Sequence, residues 1–221
     1  LTVAGTSTFV TTANDATIIL DQGGHAFTGA LLITTNDTGT DTAGDVTISA
    51  GSTVPLDFGA STIDGDLIVT SSFLPVDSDS SGTISETESN GITDSGALTV
   101  GGTSSFATSG ANANIVLDTT TNEFTGAVAL STQGASGNVT LIQGASTNKR
   151  FATSGVGGNL TVTTGSGSAV AQTGVLRVDG ATDITANGGL NNILLNTQEN
   201  VLTGAVSLDG WNVKLINSKA L

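Results

Sequence analysis

The sequence predicts an all-β chain that stacks one repeated unit, a solenoid of tandem copies. Three observations predict it. The phrase LTVAGTSTF at Leu1 returns as LTVGGTSSF at Leu98 and, worn, as LRVDGATDI at Leu176. Apolar and polar residues alternate in short runs rich in Val, Ile, Leu and Thr, the period-two pattern of a half-buried strand. No run holds apolar residues at i, i+3, i+4 and i+7 long enough for a helix.

The blocks that follow each phrase also recur. ATIILDQGGHAFTGALLITT (Ala16 to Thr35) lines up with ANIVLDTTTNEFTGAVALST (Ala113 to Thr132) and NNILLNTQENVLTGAVSLDG (Asn191 to Gly210). GDVTIS, GNVTLI and WNVKLI come next, and STIDGDLIVT matches SGVGGNLTVT. The units therefore run 1–97, 98–175 and 176–221, the last incomplete, as one continuous solenoid. The openings Leu1 and Leu98 are 97 residues apart, whereas Leu98 and Leu176 are 78 apart. Most of the excess is an acidic insertion at about 71–94. Strand blocks keep their spacing while loops vary, as expected where length change is cheap.

Each element has a local reason. The strands come from β-branched alternation, and Gly and Asn between them supply corners. With 7 Phe, 1 Trp and no Tyr or Met, the core is expected from small aliphatic residues layered turn upon turn. Absence of Met at position 1 and a third copy that stops partway suggest a mature segment or a piece of something longer. No signal peptide and no apolar run of membrane-spanning length is present, so membrane insertion is not expected. Absence of Cys excludes a disulfide framework. Asn36, Asn138 and Asn159 head three N-x-T sequons, the last two within predicted strands.

Charge is uneven. Residues 1–97 hold 13 acids and no Lys or Arg, against 6 acids and 5 bases in the rest, so nearly all of the net −14 lies in the first unit. Nucleic acid is excluded as a partner, because binding it needs a basic surface.

The insertion carries the strongest motif. Asp77, Asp79, Ser81, Gly82 and Glu88 fit D-x-[DN]-x-[DN]-G-x5-E, with Ser81 the one departure. The pattern resembles an EF-hand loop without flanking helices. The carboxylates of Asp77 and Asp79, the Ser81 hydroxyl, the Thr83 carbonyl and two oxygens of Glu88 would wrap one Ca2+, with Gly82 making the turn. The competing reading is a flexible acidic loop.

Other candidates have plainer explanations. Asp64 and Asp66 could form a glycosidase pair, but the second unit has Gly157 and Asn159 there. His25 aligns with Asn122 and Asn200 and reads as a turn residue. Lys149 and Arg150 read as loop residues. Trp211 replaces a loop glycine; exposed it could touch sugar, but burial is the expectation, closing the last turn. Thr161-Val162-Thr163 is a single Thr-x-Thr, too little for an ice-binding array.

The set GALTVGGTSSF, ANIVLDTTTNEFTGAV, GNVTLIQGAS and GGNLTVTTG resembles the repeats of filamentous-haemagglutinin-like adhesins, which are very large bacterial surface proteins. The likeness covers the chain outside the insertion, with the Asn122, Phe124 to Val128 step as its most specific part. It implies a right-handed parallel β-helix, secretion to the bacterial surface or beyond, and an adhesive or stalk role. The expected function is thus a non-catalytic structural or adhesive segment of an extracellular fibre. Its partners would be neighbouring repeats and a host or cell-surface glycan or protein. The alternatives are a carbohydrate lyase or hydrolase on a β-helix and, behind it, an ice-binding solenoid.

Overall fold

The computed structural model describes residues 1–36, 38, 43–144 and 148–220. Every strand pairing among them is parallel, and the strands stack into a β-solenoid of about nine turns. No helix among the described residues is long and apolar enough to cross a membrane.

Three strands make one turn. Ile18, Val46, Leu67, Ser104 and Val128 follow one another in one ladder. Leu56, Ile92, Ile115, Val139, Leu160, Thr182 and Val206 follow in another. Strands Val46–Ala50 and Val139–Gln143 both alternate buried and half-exposed residues, so every second side chain enters the interior. Inside, these residues form columns, such as Leu117, Leu141, Val162 and Ile184, all fully buried. The aromatic residues recur with the repeat. Phe9 meets Phe27 edge to face at 6.1 Å, and Phe106 meets Phe124 in the same way at 5.8 Å.

The repeated phrases encode corners where one turn touches the next. Gly126 of F-T-G-A-V lies so close over Gly102 that an added Cβ would sit 2.3 Å from its carbonyl oxygen. Gly29 over Gly5 and Gly204 over Gly180 make the same contact. Four residues before each of these glycines comes a second corner residue. Asn122 Oδ1 accepts the Leu98 N–H at 2.8 Å, and Asn200 Oδ1 accepts that of Leu176 at 3.0 Å. His25 holds the same place, its Nδ1 2.8 Å from the Leu1 nitrogen. All three are buried, which corrects their reading as ordinary turn residues. Burial first, then the Leu1 ammonium, lower the His25 pKa, and Asp21 opposes them.

The copies and the turns are out of step. From Leu98–Val100 to Leu176–Val178 the chain advances by ten strands. The first copy also supplies ten among the described residues, because Ile18–Phe27 is bent and pairs with different strands at its two ends. Ten strands are three and one third turns, so each copy begins one face further round. The third strand of copy one (Ile18 to Leu20), the second of copy two (Ser104–Ala111) and the first of copy three (Leu176–Val178) accordingly share one ladder.

The insertion adds residues but no strand. Leu67 pairs with Ser104, 37 residues on, where neighbouring pairs such as Ser104 and Val128 are 24 apart. The excursion runs from Leu74 to Ser89, narrower than 71–94, since Ser71 ends a ladder strand and Asn90–Asp94 is the next one.

Gly126→Ala is expected to lose about 1–3 kcal/mol in chemical denaturation, through a clash with backbone that cannot move aside. Gly155→Ala is the control: no atom lies within 4 Å of its added Cβ, and a gain of about 0.5 kcal/mol is expected.

Candidate functional site

Asp77, Asp79 and Glu88 converge in the insertion, with one oxygen of each within 4.8 Å of the others. The loop is wound on its own backbone. Asp77 accepts the N–H groups of Ser81 (3.0 Å) and Gly82 (2.7 Å), and Asp79 accepts that of Ser81 (3.0 Å). Gly82 takes φ +85°, the left-handed turn predicted for it. The Ser81 hydroxyl donates to the Thr83 carbonyl at 2.9 Å, so both lie beside the cluster.

Glu88 is held by two residues that the metal-loop pattern did not single out. Its Oε1 accepts the Ser78 N–H and hydroxyl, both at 2.6 Å, and its Oε2 accepts those of Ser85, both at 2.9 Å. Ser85 in turn takes the Glu88 N–H at 3.3 Å, which makes Ser85-Glu86-Thr87-Glu88 a capping box. It starts a single helical turn in which Ser89 N–H reaches the Ser85 carbonyl. The S-x-x-E spacing was visible in the sequence and is the signal that would have found it. These bonds, led by the Ser78 hydroxyl, hold the Glu88 carboxyl down to about 2. The Ser81 hydroxyl chiefly lowers that of Asp79.

The donor set fits a hard divalent cation: three carboxylates, a hydroxyl and a backbone carbonyl in a turn that Gly82 permits. One adjustment is required. Glu88 Oε1 already accepts three hydrogen bonds, counting the Asp79 N–H at 3.3 Å, and Oε2 accepts two, so a bidentate role would displace the Ser78 and Ser85 hydroxyls.

The other candidates are absorbed by the scaffold. Asp66 Oδ1 accepts the Thr103 N–H at 2.6 Å, and Asp45 Oδ1 accepts that of Asp66 at 2.8 Å. Amides take the same part later: Asn114 Oδ1 accepts Asn138 N–H, Asn138 accepts Asn159, and Asn159 accepts Ala181. Two of these are the sequon asparagines, and they precede the strands at 139 and 160 rather than lying within them. Asn36 is half-buried, with Nδ2 3.4 Å from the Thr12 carbonyl; Asp37 of its sequon lies outside the described residues. Thr161 and Thr163 pair with Asp183 and Thr185, so the hydroxyl array breaks.

Two expectations are corrected. Trp211 is 71 % exposed rather than buried. Lys149 is in strand Lys149–Phe151, not a loop, and is fully buried. Its Nζ lies 3.5 Å from the Phe124 carbonyl oxygen and 4.8 Å from the Phe124 ring centre. Burial lowers its pKa to about 7. The corner beside it also holds Asp94, whose carboxyl is raised by burial against hydrogen bonds from Asn122, Asp118 and Thr119.

A family model described as repeats of unknown function (DUF5649) matches residues 1–34, 74–131 and 136–209. The chain belongs to this repeat family. The DUF5649 match takes in the insertion and most of the repeated blocks, but not residues 35–73 of the first copy. No curated protein and no solved structure matches the chain.

Two predictions follow from protonation. The native Lys149 pKa lies below the ordinary 10.5, so the unfolded chain binds more protons and stability rises from pH 7 towards 10.5. Lys149→Met is expected to remove that rise in thermal melts and to add on the order of 1–4 kcal/mol near pH 7. For Glu88 the native value is depressed, so its contribution is complete above 4.5 and is lost as the pH falls through about 2. Exchange protection of the Ser78 and Ser85 amides should fall over that window in the wild type, and Glu88→Gln should lack the step.

Proposed function

We propose that the chain is a non-catalytic structural and adhesive segment of a large extracellular or bacterial surface fibre, with a calcium-ordered loop in its first repeat. The observation that carries the reading is where the polar side chains are used. Asp45, Asp66, Asn114, Asn122, Asn138, Asn159 and Asn200 each accept a backbone N–H across to another turn. That use suits a rod whose work is to hold its shape. It also weighs against a glycosidase role for Asp66, which is tied to Thr103.

Partnership with neighbouring repeats is supported by the last rung. Val206, Leu208 and Leu215 are only partly buried, while Ile184 and Leu195 beneath them are fully buried. The rung therefore offers the apolar columns to another turn. The repeat wording supports the likeness to filamentous-haemagglutinin-like adhesins, and with it the surface location and a glycan or protein receptor.

Calcium is supported by three carboxylates in one turn, of which Asp79 and Glu88 are held in the charged form. The dissociation constant expected for such an extracellular loop is roughly 0.1–1 mM. Calorimetric titration should give one site per chain. Calcium at a hundredfold excess over Kd should raise stability by about 2.7 kcal/mol if unfolding releases the ion. Asp77→Asn should abolish the heat of binding; because it also loses one of the two backbone bonds that Asp77 accepts, the apo melting curve is the control. An identical melt and identical loop protection with calcium and with chelator would sink the calcium reading. For adhesion, a clean negative in glycan and cell-binding screens would leave only the spacer role.

A further inference from the structure

The insertion roofs a cleft that the fold alone would not have. Glu86 on its helical turn faces the outward surface of strands Asn114–Leu117, Val139–Gln143 and Leu160–Thr164, enclosing about 300 Å3. The Asn114 Nδ2 donor, 3.4 Å from the Glu86 carbonyl oxygen, ties the roof to the wall.

The wall repeats once per turn. Asn138 and Asn159 both accept a backbone N–H of the next turn on Oδ1, which fixes the amide plane. Neither Nδ2 has an acceptor among the described residues, so each remains a fixed donor. Thr140 and Thr161, paired in register, set two hydroxyls beside them with no partner among the described residues. Amide and hydroxyl thus recur at the strand spacing of about 4.8 Å. This is close to the length of one hexopyranose in an extended β-linked chain. The cleft has no cationic lining residue, and Glu86 and Asp118 both face it. With a net charge of −14, that lining repels polyanions.

We infer that this cleft binds a neutral linear oligosaccharide lying along the solenoid axis, one sugar per turn. Asn138, Asn159, Thr140 and Thr161 contact its hydroxyls, and the insertion closes over it. The inference rests on the adhesive reading above and gives the calcium loop a task, since ordering the loop sets the position of Glu86.

The test is a titration of the ¹⁵N-labelled chain at saturating calcium with cellotetraose and chitotetraose, and separately with tetragalacturonate. Saturable shifts of the Asn138 and Asn159 side-chain amides with a neutral tetrasaccharide are expected. Thr161→Lys should weaken binding at least tenfold with an unchanged melting curve, and Ser105→Lys, on another face, should leave it intact. No shift with either neutral sugar at millimolar concentration overturns the inference, as does tighter binding of tetragalacturonate or wild-type affinity in Thr161→Lys. Repeating the titration with chelator separates the two claims. Sugar binding in a chain that takes no calcium keeps the cleft and removes the metal; calcium binding without sugar binding does the reverse.

Discussion

The structure depends on the bond between one turn and the next at its corners. Parallel ladders satisfy the backbone along each face, but a chain that bends leaves N–H groups without a ladder partner. Leaving such a group buried and unpaired costs about 1–3 kcal/mol. Here side chains of adjoining turns supply the acceptor: Asn122 for Leu98, Asn200 for Leu176, Asp45 for Asp66 and Asn138 for Asn159. Glycine then lets the same corners touch, as Gly126 does on Gly102. Losing either device weakens the contact between turns, and with it the burial of the aliphatic columns.

Much of this was legible in the sequence. The alternation in VTISA and VTLIQ gave strands whose buried positions fall on every second residue. The alignment of His25, Asn122 and Asn200 marked a shared structural role, although its nature was misread. A turn asparagine and a corner asparagine look identical in one dimension, because the acceptor is used 24 residues away. Lys149 was hidden for a similar reason. It read as a loop residue, whereas the space it fills, beside Val170 and Phe124, is set by other turns. Trp211 shows the opposite error: expected to close the last turn, it stands exposed.

The insertion was the most readable part of the candidate site. Asp77, Asp79 and Glu88 meet as the spacing required, and Gly82 has the turn conformation assigned to it. The pattern did not disclose that Glu88 has two possible employers. The capping box and the metal loop share its carboxylate, so a cation that takes both Glu88 oxygens must rearrange the hydroxyls of Ser78 and Ser85. The cleft under Glu86 was not visible at all, because it joins residues of the first unit to strands of the second.

The mismatch of ten strands per copy against three per turn has a consequence for what the rod presents to its surroundings. The repeat acts as a screw: advancing by one copy also turns the surface through one face, and three copies restore the starting azimuth. A feature written once per copy therefore winds around the rod instead of lining up along one side. A surface built this way has no dedicated back, and an encounter from any direction meets a copy in the right orientation.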